Sequence, residues 1–279
     1  MADTLCHLCG ENRFRIVEEG ETPYRVLRCL RCSLVFVDPR PEQQALGDHY
    51  DEEYYREWTG VQRQRRLRMW EARLDRLERR VPRGCLLDVG CAEGTFLEQA
   101  RRRGWKVSGT ELSAFAAAEA SRRLGKEIFC GELGEARFPD GSFDVITLWH
   151  VLEYMRDPGN CLREIRRIIR PQGFLLIAVP NVDDRLMQMA YRLVRGRPKR
   201  LFLKKDREIH LTHFSARTIG MFLEKTGFAP SRIGPDYGII EPGKRLINAA
   251  AAACGLLGGL KIYNALEIHA RPVDRGGRT

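Results

Sequence analysis

The chain has 279 residues, 43% of them hydrophobic and 30% charged, with a formal net charge of +10. That is room for one large domain and a small module, with a globular composition that excludes disordered and fibrous classes. "MADTLCHLCG" has neither the basic start nor the apolar core of a signal peptide, so a cytoplasmic protein is expected. The longest uncharged apolar run, Leu246 to Leu260, is too short and too rich in Ala and Gly for a membrane span. A buried helix is its first reading; contact of 244–261 with a membrane surface, helped by Lys244, Arg245 and Lys261, is the alternative. Basic residues concentrate in 62–80 and 191–207. Such runs suit acidic partners (nucleic acid, nucleotide-linked substrates, anionic lipid, an acidic carrier protein) as well as they suit solvated surfaces.

Two Cys-x-x-Cys pairs open the chain: Cys6 and Cys9 in "CHLC", Cys29 and Cys32 in "CLRC". Two thiolates two residues apart can grip one tetrahedral ion, and a second pair closes the coordination sphere. The spacing predicts a four-cysteine zinc ribbon over 1–39 with Zn2+ in a closed, structural site. The remaining cysteines, Cys85, Cys91, Cys130, Cys161 and Cys254, read as small apolar residues.

A linker over 40–82 follows, containing "DHYDEEYY" and a basic helix with Leu67, Trp70, Leu74 and Leu77 on one stripe. From 83 to 273 strand and helix alternate, and 274–279 is a tail. "CLLDVG", "WKVSGTE", "EIFCGEL", "FDVITLW" and "GFLLIAVPN" read as strands. "TFLEQARRRG", "AFAAAEASRRLG" capped by Ser113, and Pro158 to Arg170 read as helices. "APSRIGPDYGII" and "KIYNALEIHARP" complete a doubly wound, Rossmann-like α/β sheet of seven strands, mostly parallel with the last antiparallel. The stretches 180–214 and 235–260 are expected to be insertions on the substrate side.

Ligands of such sheets bind beyond the carboxyl ends of the strands. There stand "DVGCAEG", whose glycines let backbone approach a ligand, and Glu111, suited to a ribose diol. A nicotinamide cofactor and S-adenosylmethionine both want these features, but the pyrophosphate pattern GxGxxG is missing: Gly90 is followed by Ala92 and Gly94.

"LLDVGCAEGTFL", Glu111, "FPDGSFDVITLWHVLEYMRDP", "LREIRRIIRPQGFLLIAVPN" and "HLTHFSARTIGMFLEKTGF" resemble, in order, the motifs of class I S-adenosylmethionine-dependent methyltransferases. The N-terminal segment is similar to bacterial members with a zinc ribbon ahead of that domain. The resemblance implies S-adenosyl-L-methionine as cofactor, with Asp88, Gly90, Cys91, Ala92 and Gly94 at its methionyl end. It also implies Glu111 and Leu112 at ribose and adenine, Glu132 and Leu133 at the adenine edge, and Trp149 closing the pocket. Ala92 departs from the family's usual glycine.

The methyl of a sulfonium is already activated, so the main catalytic task is positioning, with a base needed for a hydroxyl or an acidic carbon. His150 and His210 are the candidate bases, both expected on the substrate side; His213, just ahead of a helix capped by Ser215, reads as structural. His150 and Glu153 could share a divalent ion, although a helix-terminus or backbone-bonding carboxylate is the favoured reading of Glu153. Tyr50, Tyr54 and Tyr55 read equally well as a lid over the cofactor or as core or interface packing of the linker. The expected acceptor is a small molecule methylated on oxygen or carbon, with anionic and carrier-linked compounds among the candidates, from secondary-metabolite, cofactor or envelope-glycan biosynthesis. An RNA methyltransferase gripping RNA with the ribbon and basic helix is the alternative. The ribbon lacks a dense basic-aromatic surface and "WHVLEY" is no base-methylating signature, which disfavours RNA, and DNA is not expected.

Overall fold

The computed structural model describes residues 4–20, 22–41, 55, 63–203, 209–238 and 263–273. Tyr50, Tyr54, Cys254 and the run from Leu246 to Leu260 lie outside them.

Three antiparallel strands come first: β1 (Phe14–Glu19), β2 (Arg25–Cys29) and β3 (Val35–Asp38). Helix α1 (Arg63–Glu78) then buries Trp70, Leu74 and Leu77 of the stripe its apolar period predicts and leaves Leu67 half-buried. Alternation follows through β4 (Cys85–Val89), α2 (Thr95–Arg102), β5 (Lys106–Glu111), α3 (Ala114–Leu124), β6 (Phe129–Cys130), β7 (Phe143–Trp149), α4 (Pro158–Ile168) and β8 (Ile169–Pro180). The chain continues with α5 (Arg185–Arg195), β9 (Thr212–His213), α6 (Ala216–Lys225), β10 (Phe228–Pro235) and β11 (Ala265–Pro272).

The main sheet has the order β10-β11-β8-β7-β4-β5-β6, parallel except that β11 runs antiparallel to both neighbours. Its inner strands are covered on both faces, which explains their unbroken apolar runs: Leu86, Leu87, Val145, Ile146 and Leu148 are all fully buried. Each such side chain contributes about 1.5–3 kcal/mol.

Local chemistry trims the expected elements. The strand read over "EIFCGEL" shrinks to two residues, because Gly131 (φ 147) breaks it and Glu132 opens a 3-10 turn closed by a capping box with Glu135. The helix expected to reach Arg170 stops at Ile168, since a residue before proline is pushed to extended backbone. Ser113 caps α3 by accepting from the Ala116 amide, and Ser215 caps α6.

The small sheet does not end with β3. Strand β9 adds to it, Val35 opposite His213 and Phe36 opposite Thr212. The Leu211 carbonyl accepts from the Val37 amide, while the Leu211 amide donates to the Glu153 carbonyl, so one segment ties the cysteine-bearing region to the edge of the main sheet. Beneath this junction, Cys6, Leu8, Leu34 and Phe36 share one apolar core with Phe214, Phe222 and Leu223.

Candidate active site and cysteine cluster

The four N-terminal thiols converge. Cys6 and Cys32 Sγ are 3.5 Å apart, as are Cys9 and Cys29 Sγ, and all four sulfurs lie within 4.8 Å of one another. Sulfurs around a tetrahedral ion at about 2.3 Å sit roughly 3.8 Å apart, so the set could hold one divalent metal. Each knuckle is closed by a left-handed residue, Gly10 (φ 74) and Ser33 (φ 69), whose amides donate to the Cys6 and Cys29 carbonyls. Burial pushes the Cys6 thiol up to about 11, and a cation at the centre would offset that cost. His7 points away, to Arg40. Among the described residues, this is the one group of three or more donors with metal-binding geometry, and the pair His150–Glu153 is not part of such a group.

Of the other cysteines, Cys91 and Cys161 are buried as expected and Cys85 half so. Cys130 departs from that expectation: it is exposed, on the two-residue strand β6 that ends the sheet among the described residues.

Beyond the carboxyl ends of the main strands opens a cleft of about 2180 Å³, lined by every residue that the motifs assigned to a cofactor except Gly94. Gly90 (φ 70) carries the turn after β4, and a Cβ there would lie 2.6 Å from Val151 Cγ2. Gly94 (φ 77) instead lets α2 start close against α3, since a Cβ there would lie 3.0 Å from Ala120 Cβ. Ala92 adopts φ 48, a left-handed conformation that costs L-residues energy, which gives the family's glycine its reason. In that conformation the Ala92 amide donates to Glu111 Oε2 at 2.9 Å. Glu111 Oε1 accepts from the Ser113 amide at 2.9 Å and from the Tyr55 hydroxyl at 3.3 Å, so the tyrosine from the "YDEEYY" stretch reaches over the site. Burial raises the Glu111 carboxyl against these bonds. Asp88, buried, accepts from the Thr147 hydroxyl at 2.6 Å and is likewise pushed up by burial.

The turns 88–96, 110–112 and 131–134 give this wall Asp88, Glu93, Glu111 and Glu132 and no Lys or Arg. An acidic lip of this kind suits a cationic sulfonium and ammonium and repels a diphosphate. The donors present therefore fit S-adenosylmethionine and do not fit a dinucleotide.

The facing part of the cleft begins at the end of β7. Trp149 packs against Trp70 and Phe96, and the Arg73 guanidinium lies 4.0 Å over its ring. His150, also left-handed (φ 58), turns its ring between two carboxylates: Nε2 is 3.1 Å from Asp236 Oδ2, Nδ1 3.6 Å from Glu153 Oε1. The ring keeps 37% of its side-chain surface open to the cleft although protein surrounds it. Burial lowers its pKa, but the two acids outweigh burial and hold it up at about 9. Glu153 stands in the first turn of a 3-10 helix (Leu152–Tyr154), in keeping with a helix-terminus carboxylate, but bonds no backbone among the described residues; it is buried with neither oxygen hydrogen-bonded and faces the imidazole.

Asp236 also takes both oxygens' share of the Arg73 guanidinium at 2.9 Å and the Gly238 amide at 2.8 Å. Neither Arg73 nor Asp236 stood out in the sequence. The signal available for Asp236 was its place just after β10, at the carboxyl edge where such sheets put their sites. His210 Nε2 lies 3.1 Å from the Tyr154 hydroxyl, and burial lowers its pKa. His213 is buried in β9, pushed down to about 3 by burial, in keeping with a structural role.

The chain matches the family described as Methyltransferase domain over residues 61–231, more than half of its length. It belongs to that family. Ubiquinone biosynthesis O-methyltransferase of Aeromonas salmonicida is 31% identical over 111 residues, covering 37% of this chain and 46% of the relative. A probable S-adenosylmethionine-dependent methyltransferase of Mycolicibacterium smegmatis is 29% identical over 116 residues, 41% of this chain and 45% of the relative. The match thus spans less than half the length of these curated relatives. Magnesium protoporphyrin IX methyltransferase of Synechocystis PCC 6803, solved with bound SAH, superposes with a TM-score of 0.58 at 13% identity, covering 83% of this chain and 100% of that one. A possible histamine N-methyltransferase of Thermotoga maritima gives 0.56 at 18% identity, with 83% and 100% covered. At these identities the likeness is one of fold, and the methyltransferase sheet is what they share.

Proposed function

We propose that this methyltransferase moves a methyl group from S-adenosylmethionine to an oxygen or carbon of a small, anionic acceptor. The observation that carries the reading is Glu111, a buried carboxylate cradled by two amides under the Tyr55 hydroxyl on an acidic cleft wall. When bound, the cofactor supplies a methyl activated on a sulfonium. Glu111 would hold its ribose, Gly90 and Ala92 would admit its methionyl end, and Glu132 and Leu133 would meet its adenine. The four thiols would hold Zn2+, fixing the small sheet that carries β9 and, through it, the segment bearing His210.

The far wall supports the anionic acceptor. Arg15 and Arg28 stand directly opposite each other on β1 and β2 and line the cleft, and Arg28 Nε is buried with no hydrogen-bond partner. Facing like charges are unfavourable until an anion joins them.

The two histidines divide the remaining work. A base must be neutral at the working pH. His150, raised to about 9 with an acid at each ring nitrogen, is a fixed cation at neutral pH; it would attract and orient the acceptor. His210, lowered by burial and next to the Tyr154 hydroxyl, is neutral and would take the proton.

The experiment is a pH–rate profile with labelled cofactor, run beside two variants. Glu111→Ala should weaken cofactor binding about a hundredfold by calorimetry, two charge-assisted bonds being lost. His210→Asn should leave binding intact and slow turnover about 100-fold or more. The wild-type acid limb should fall below the ordinary imidazole value of 6.5; a limb near 9 would give the base back to His150.

A further inference from the structure

Helix α5 (Arg185–Arg195) has no buried residue. Its N-terminus is anchored, since Asp184 accepts from the Met187 amide at 3.0 Å and from the Asn264 side chain at 3.1 Å. Leu186 packs partly on the core, but the helix then projects: Met189 is 56% exposed, Leu193 and Val194 79% each. At 100° per residue, Leu186, Met189, Ala190, Leu193 and Val194 fall on one continuous apolar face. Gln188, Tyr191 and Arg192 lie on the opposite side and line the cleft.

The sequence from Arg185 to Arg200 holds five arginines and one lysine and no acid. Arg185, Arg192, Arg195, Arg197 and Lys199 are exposed and form no ion pair among the described residues. Left in water, such a helix keeps its apolar face wet and its cations uncompensated. An anionic lipid surface answers both: acyl chains take the apolar face, and headgroups take Arg185 at its edge and Arg195, Arg197 and Lys199 at the C-terminal end of the helix, while Arg192 faces the cleft. A folded protein partner would need a groove matched to this convex, projecting helix, whereas a lipid surface conforms to it. We infer that α5 docks the protein on an anionic membrane surface, with the cleft mouth beside the lipid. No helix among the described residues is long and apolar enough to cross a membrane, so the contact is interfacial.

The inference stands apart from the catalytic reading, and its test uses no activity. The full chain is floated with vesicles of phosphatidylcholine alone and with added phosphatidylglycerol. Binding should require phosphatidylglycerol and weaken as salt rises. Leu193→Ser combined with Val194→Ser should cut partitioning about tenfold or more. Arg195→Gln with Arg197→Gln should also cut it about tenfold and flatten the salt dependence. Melting temperature and cofactor affinity should be unchanged in both pairs, since all four side chains are exposed. Failure of the wild type to float overturns the inference. So does flotation that the α5 variants leave untouched, which would place contact elsewhere. Self-association abolished by the serine pair, without vesicle binding, overturns it in favour of a second copy of the chain.

Discussion

The two walls of the cleft are built in different ways. The acidic wall comes from neighbouring strand ends, β4, β5 and β6, whose last residues or following turns carry its polar groups. The facing wall gathers distant pieces: the turn after β7, the segment ending in β9, the face of α5, Asp236 after β10, and Arg15 and Arg28 from the small sheet. A wall of successive turns keeps its shape as long as the sheet does. One collected from many segments depends on every long-range tie, so the two halves should fail separately.

The largest expected effect comes from breaking the cysteine cluster. Metal analysis should return one zinc per chain, and Cys29→Ser should lose it, giving up a binding free energy of about 10 kcal/mol. The small sheet then loses its fixed edge, and β9 its partner strand. Turnover should vanish while cofactor affinity, measured by calorimetry at low temperature, falls less than about tenfold. Equal loss of both would show that the walls are one cooperative unit.

A smaller effect, confined to the facing wall, is expected from Asp236→Asn. The variant leaves Arg73 buried beside a neutral amide and should cost about 3–5 kcal/mol of stability. It also removes one of the acids that raise His150, so imidazole titration followed by NMR should move from about 9 toward 6.5. The sign follows: a histidine raised in the fold stabilises fully below 6.5, and that contribution is lost as pH rises through about 9. Wild-type stability should therefore decline over that alkaline window, and the variant's should decline less. An unchanged titration would detach Asp236 from the site.

These walls were also unequally legible in the sequence. Gly90, Glu111 and Glu132 each stand at the carboxyl end of a strand that the sequence pattern marks, so short-range reading reached them. Asp236 lies 163 residues from Arg73 and 86 from His150, and nothing in "GPDYG" or in a run of arginines names the other as partner. β9 has two residues, too few for any periodicity, yet it adds a fourth strand to the small sheet, and Leu211 just before it bonds the Glu153 carbonyl. The pairing of Glu153 with His150, three residues apart, was within reach of the sequence, whereas Asp236 at the ring's other nitrogen was not.

Ala92→Gly probes the acidic wall with the smallest effect. Alanine in the left-handed region costs about 1–2 kcal/mol. Glycine relieves that but loses about 0.5–1 kcal/mol through the greater freedom of the unfolded chain. The net gain should be about 1 kcal/mol or less, visible as a modest rise in melting temperature. The backbone bond from residue 92 to Glu111 does not depend on a side chain and should survive. With one methyl removed from the turn, cofactor affinity should rise by a few fold and acceptor KM should stay where it is, since the acceptor meets the other wall. A change in acceptor KM as large as that in cofactor affinity would mean that the Ala92 turn shapes both halves, and the division between the walls would then have to be drawn on the far side of Val151, which packs against Gly90 in that turn.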